Sequence, residues 1–447
     1  MRLTGFRWIA ASSVLIAASA MAATRPHYGG SVRVQLPEAV VSLDPAAGAE
    51  GNISSLILDT LVVLNDRGEP QAALCSSWQA DPGNQRWQFT VRPGVRFSDQ
   101  TPMTPEDAAV SLRRVNPEWK VTSNDTTVMI QLAAPMTNLS AELALPRNSI
   151  AKIASGKTIG TGPFVVSEWD AGKKLVLTAR DDYWGGRAFL DSIEIDMARN
   201  FRDQMMALDL GQAQVIEVPP DALRSTGSRQ LRTSEPIELV ALLFAREAQT
   251  SEETKQRQAF GLSIDRNALN QVLLQGGAAT AGGLLPDWLS GYGFLFSKDR
   301  DIVRAQQLRA ELQQAPQWSL GFDQNDPLER VIAERVLLNA SDAGLRLQLT
   351  NRSDADVRLE RVKVDSLDPQ VALKELCKSL GIAVPPLVGD SANDLYHAES
   401  ATLQSRRVIP LLHLRAAWAV SKNVRDWDED RGGDWHLPDV WLAAGKP

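Results

Sequence analysis

Residues 87–99 run Trp87-Gln88-Phe89-Thr90-Val91-Arg92-Pro93-Gly94-Val95-Arg96-Phe97-Ser98-Asp99. Trp87, Phe89 and Val91 alternate with polar neighbours, the two-residue period of a strand that buries one face. Pro93-Gly94 ends the run, because proline presets φ and glycine accepts the positive φ of a tight turn. Val95 to Phe97 then reads as a returning strand. Just beyond it, Thr104 followed by Pro105 and Asp107 predicts an N-cap, a first-turn proline and an acid at the positive end of a helix over 108–115. Strand, turn and helix within thirty residues mark a mixed α/β chain.

The same signals recur outward from this stretch. Val32-Val34-Leu36, Val128-Ile130-Leu132, Leu175-Leu177-Ala179 and Ile193-Ile195-Met197 alternate as strands, and Leu239–Ala245 is an apolar run of buried-strand length. Asp326-Pro327-Leu328-Glu329 opens an amphipathic helix through Val331, Ile332 and Val336 that stops at Gly344. Ser251 opens another run, ending at Gly276-Gly277. The elements mix without strict alternation, which predicts several sheets. No internal repeat or Gly/Ser-rich tether separates them, so the domains share close boundaries.

The chain has 447 residues, 44% of them hydrophobic, and a formal net charge of −7. That length holds about two to four domain-sized units, and the apolar fraction excludes wholesale disorder. The acidic balance argues against a nucleic-acid partner, which requires a surplus of Lys and Arg on one face.

At the N-terminus Arg2 and Arg7 precede an apolar stretch from Trp8 to Ala20, and no acid appears before Glu38. This order is that of a secretory signal, with Ala20-Met21-Ala22 offering small residues for cleavage after Ala22. The stretch is shorter than the roughly 20 apolar residues of a membrane span, so no stable membrane insertion is expected. Cys75 and Cys377 allow either one disulfide or two separate buried thiols.

Enzyme signatures are missing. His27, His397, His413 and His436 lie far apart without metal-ligand spacing. Gly-x-Ser-x-Gly and the phosphate-binding loop are both absent. Acid pairs such as Asp181-Asp182 and Asp426/Asp428 read as solvated charges, and Asp426–Asp430 lacks the spacing of a calcium loop. The expectation is a non-enzyme with no catalytic residue, cofactor or metal.

Several ordered blocks together resemble the family 5 extracellular solute-binding proteins, the receptors for oligopeptides, dipeptides and nickel that serve ABC importers. They are Leu43-Asp44-Pro45, the stretch 87–99, Thr101–Asp107, Ile159-Gly160-Thr161-Gly162-Pro163-Phe164, Tyr183-Trp184-Gly185-Gly186, Leu190–Ile193, Ile264-Asp265-Arg266 and Ile409-Pro410-Leu411. The resemblance implies a two-lobed periplasmic-binding-protein fold with mixed sheets, hinge crossovers and an extra inserted domain. By position, 1–22 is the signal peptide. Domain I takes 23–48, 160–244 and 410–447, the inserted domain II takes 49–159, and the second lobe (domain III) takes 245–409. Gly160-Thr161-Gly162 is expected where two backbones cross too closely for a side chain.

The resemblance also implies a periplasmic substrate-binding component of an ABC importer. It would be a monomer that takes a small-molecule or short-peptide ligand to an ABC permease with its ATPase. Two alternatives stay open: a ligand-sensing or scaffold protein on the same fold, and an exported hydrolase. Peptide receptors of this family hold the ligand's amino terminus with the first aspartate of a Trp-x-x-Asp-x-x-Asp/Glu-Pro motif. The matching stretch here is Val362-Lys363-Val364-Asp365-Ser366-Leu367-Asp368-Pro369, so Asp365 is the ligand-binding candidate. Its competing role is to cap the helix beginning near Pro369, for which Asp368 is also placed. Arg246, beside the expected hinge, is a second candidate, for an anionic group.

Overall fold

The structure is a computed structural model that describes residues 25–443 apart from Ser228, Ala315, Ser353, Val388, Asp390 and 428–430. The signal segment 1–22 and Asp428 to Asp430 of the acid run therefore lie outside the described residues.

An eleven-stranded mixed sheet runs through the molecule. In spatial order its strands are Phe164–Asp170, Lys174–Ala179, Ser192–Asp196, Ser31–Gln35, Val215–Glu217, Val408–Val420, Gln230–Phe244, Val357–Lys363, Gln317–Gly321 and Arg346–Thr350. Ala278–Thr280 adds to Val408–Val420. A separate four-stranded antiparallel sheet (Cys75–Ala80, Arg86–Val91, Thr127–Gln131, Lys120–Ser123) belongs to the inserted unit. The helix over Pro105–Val115 closes on it with the capping box that Thr104 and Asp107 predict, Thr104 N donating to Asp107 Oδ2 at 2.8 Å. Beyond Gly94, whose φ is +81°, the returning strand shrinks to a single bridge between Arg96 and Pro102.

The hydrophobic cores mark the units. One joins Val32–Leu43, the helix Gly51–Ile57, the strands at 164–195 and Trp418–Val440. A second, from Leu61 to Ile150, belongs to the inserted unit. The third lobe has two layers because the strand Gln230–Phe244 alternates: Val240, Leu242 and Phe244 face one core, and Leu239 and Ala241 face the other. The two long strands cross between lobes within their own length. Leu231, Ala417 and Ala419 pack in the first lobe, whereas Leu239–Phe244 and Val408–Leu414 pack in the third. Along these two strands the packing changes from one core to the other near 237 and 415. Helix Gly51–Ile57 packs its Ile53, Leu56 and Ile57 into the core of the first lobe.

The helical run from Ser251 is broken. It ends at Ser263, and Asp265 caps a new turn by accepting from Ala268 N at 2.8 Å. Cys75 and Cys377 are buried free thiols in different cores.

One buried acid makes the third lobe pH-sensitive. Glu399, on the helix Ala392–Gln404, accepts from Leu284 N, from Leu285 N at 3.2 Å and from Tyr292 OH at 2.7 Å. Burial outweighs these bonds and pushes its pKa up to about 7. On the far side of the same loop, His413 Nε2 bonds Leu284 O at 2.9 Å, and burial pushes its pKa down to about 4. A raised carboxyl gives stability that is present below the unfolded value of 4.5 and lost as pH rises toward 7. His413 works in the opposite direction, so the comparison of wild type with Glu399→Gln isolates the acid. The variant should gain about 3 kcal/mol relative to wild type between pH 4.5 and 7.5. Urea unfolding across that range measures it, and a pH-independent difference would refute it.

Candidate functional site

A cavity of about 630 Å³ opens where the three units meet. Its walls come from six places in the chain: the helix Gly51–Ile57 with its flanks, the 144–149 loop, Pro163, Tyr183, the 363–367 segment and the 432–438 segment. That size suits a small solute held on several sides.

One wall rests on a close backbone crossing. Gly160 and Gly162 pass over Ile57 and Leu58, with Gly162 N donating to Ile57 O at 3.1 Å and Ser98 N to Gly160 O at 2.8 Å. A Cβ on Gly160 would stand 1.9 Å from Ile57 O, and one on Gly162 would stand 2.6 Å from Ile57 C. The buried Arg180 guanidinium braces the crossing through the carbonyls of Gly162, Arg96 and Phe97. Asp59 lies beside it and takes three donors: Thr161 Oγ1 at 2.8 Å, Tyr183 OH at 3.0 Å and Trp184 Nε1 at 2.9 Å. Burial raises its pKa against the pull of those bonds. Asp59 is therefore a structural hub on the cavity wall.

The cavity's remaining charge is mostly negative. Glu50 caps the helix Gly51–Ile57 by accepting from Ile53 N at 2.8 Å, and burial raises its pKa. Lys363, the last residue of its strand, sends Nζ to 3.4 Å from Asp434 Oδ1. Burial alone would lower this ammonium, but Asp434, Glu50 and Asp365 outweigh it and raise the pKa. Arg147 is occupied by Glu142 and Glu375.

Asp365 is on this wall. Its carboxylate is open to the cavity yet crowded by protein, and that desolvation raises its pKa while Lys363 pulls it down. It makes no hydrogen bond among the described residues. The capping role falls to Asp368, whose Oδ1 accepts from Gln370 N at 3.0 Å and Val371 N at 2.9 Å. Arg246 is elsewhere: it is exposed, absent from the cavity wall and paired with Glu253 at 2.8 Å. The two candidates are not brought together, because the turn after Phe244 carries Arg246 toward the helix Ser251–Ser263.

Glu50, Asp59, Lys363 and Asp434 escaped the sequence reading. Of these only Lys363 carried a signal, its place two residues before Asp365. His436 also lines the cavity. Among the described residues no group of His, Cys, Asp or Glu is placed to hold a metal ion, and no helix is long and apolar enough to cross a membrane.

Comparison with known proteins agrees with this architecture. The family described as bacterial extracellular solute-binding proteins, family 5 Middle, matches residues 69–373. Protein XP55 of Streptomyces lividans is 23% identical, covering 87% of this chain and 81% of that protein. The probable D,D-dipeptide-binding periplasmic protein of Escherichia coli K12 is 22% identical over 71% of this chain and 69% of its own. Among solved structures, the ABC transporter-associated periplasmic binding protein DppA of Helicobacter pylori, in complex with peptide STSA, superposes with a TM-score of 0.77. It covers 94% of this chain and 99% of its own at 16% identity, a likeness of fold.

Proposed function

Since this chain belongs to the bacterial extracellular solute-binding proteins of family 5, we propose that it is the substrate-binding component of an ABC importer. It works in the periplasm as a monomer, closes its lobes on a small polar solute, in the first instance a short peptide, and delivers it to a permease with its ATPase. The family consists of binding proteins, and in this reading no bond is made or broken.

The observation that carries the proposal is the cavity between the units, with the Asp365 carboxylate, which makes no hydrogen bond among the described residues, open to it. A ligand there touches walls from different lobes only when they are closed together, so its differential affinity drives closure. Asp365 receives the ligand's ammonium group in a charge-assisted hydrogen bond. The acids Glu50 and Asp434 near it favour a cationic end over an anionic one.

The test is calorimetric titration with a panel of di- and tripeptides, on protein refolded from denaturant and shown ligand-free by mass spectrometry. Asp365→Ala should weaken the best peptide by ~2 kcal/mol, about thirtyfold in Kd. Equal affinity in the variant would remove Asp365 from the site. Silence of the wild type across peptides, amino-acid derivatives, sugars and metal ions would count against import itself.

A further inference from the structure

The inserted unit and the third lobe touch directly, without passing through the cavity. Glu142, at the end of the short helix Leu139–Glu142, is almost fully buried. It pairs with Arg147 of its own unit and with Lys374 Nζ of the third lobe at 3.2 Å. Arg147 reaches in turn across to Glu375 at 2.5 Å. The four charges form a linear chain, Lys374–Glu142–Arg147–Glu375, whose two outer links cross the boundary. Beside them Asn138 Nδ2 donates to Asp368 Oδ1 at 3.2 Å, so the residue that caps the helix Pro369–Ser379 is itself held from the other unit. Val371, on the same helix, is buried against Ala141 and Leu145, with Leu64 packed alongside. The turn at Gly68 meets the Leu367 carbonyl so closely that a Cβ would stand 2.4 Å from it.

These contacts are ionic, polar, apolar and steric, and all join the same two bodies. Leu64, Leu145, Arg147 and Leu367 also line the cavity, so the joint borders the proposed binding site. The geometry points to a latch: the helix Pro369–Ser379 docks on the inserted unit through Lys374, Glu375 and Val371, and the protein's own side chains supply part of the free energy of closure. A ligand then adds to an equilibrium already biased toward the closed form, and weak ligand contacts suffice to complete the shift. Charged pairs suit this task because their cost appears when they part: Glu142 without Lys374 leaves a buried carboxylate with one fewer partner.

The latch is tested by the distance between lobes, which does not depend on which solute binds. Nitroxide labels at Asp125→Cys in the inserted unit and Leu338→Cys in the third lobe react selectively, because Cys75 and Cys377 are buried. Pulsed dipolar spectroscopy on the full chain should give one dominant short distance. Lys374→Met/Glu375→Gln should raise the open-to-closed ratio about tenfold or more. Should the double variant not fold, Lys374→Met and Glu375→Gln taken singly should each raise it about threefold. A wild type already dominated by the long distance, or variants whose distributions match wild type, would overturn the latch. Neither result touches the receptor reading, which stands or falls on titration.

Discussion

Gly160→Val is expected to destabilise the protein by more than about 4 kcal/mol, and to leave little folded material in an expression trial. The first carbon of any side chain would stand 1.9 Å from Ile57 O and 2.5 Å from Leu58 Cδ2. The obstructing oxygen is backbone and accepts the Gly162 N–H, so it cannot swing aside as a flexible side chain would. Separating the two passages would also disturb Arg180, which holds three carbonyls there, and Thr161, which is fully buried between the glycines. Gly94→Ala is the comparator. Gly94 has a φ of +81° but nothing within 4 Å of the added carbon, so only backbone strain of about 1 kcal/mol applies. Urea unfolding followed by circular dichroism measures both, and a Gly160 variant as stable as the Gly94 variant would show that the crossing can open without loss.

Asp59→Ala should cost about 4 kcal/mol. The substitution leaves the Thr161 hydroxyl, the Tyr183 hydroxyl and the Trp184 indole N–H without their acceptor, and of these Thr161 is fully buried. Each orphaned donor costs about 1–3 kcal/mol, and the three are not fully additive because they share one neighbourhood. Asp59→Asn should fall between wild type and the alanine variant. Its amide keeps one acceptor oxygen but turns an N–H toward a donor. Equal stability of the alanine variant, or an asparagine variant worse than alanine, would contradict the hub role.

Local structure was legible where residues act on their own segment. Alternation marked Trp87-Phe89-Val91 and Ile193-Ile195, and Thr104 with Asp107 marked a helix start that the capping box completes. Legibility failed where a distant segment decides. The chain after Gly94 pairs only through Arg96 and Pro102, and the helix from Ser251 stops where Asn339 Oδ1 takes the Asp265 N–H. The lobe boundary was hidden for a related reason. An alternating strand looks the same whichever core it faces, so Leu231 and Leu239 carry no mark of belonging to different lobes. At the site, Asp365 was found through its spacing from Asp368-Pro369. Glu50, Asp59 and Asp434 come from separate passages, and nothing in their sequence neighbours shows that they meet. Arg246 shows the converse, since nearness along the chain to a crossing did not bring it to the cavity.

The paired strands Gln230–Phe244 and Val408–Val420 carry one further consequence. Their ladder runs from Gln230 to Leu243, but its register shifts between Thr233 and Glu238, around a proline that has no N–H to give, and again between Val240 and Ala241. The pairing is thus interrupted in the stretch where the two long strands leave one core for the next, so that stretch of the ribbon holds fewer regular ladder bonds than the segments on either side of it.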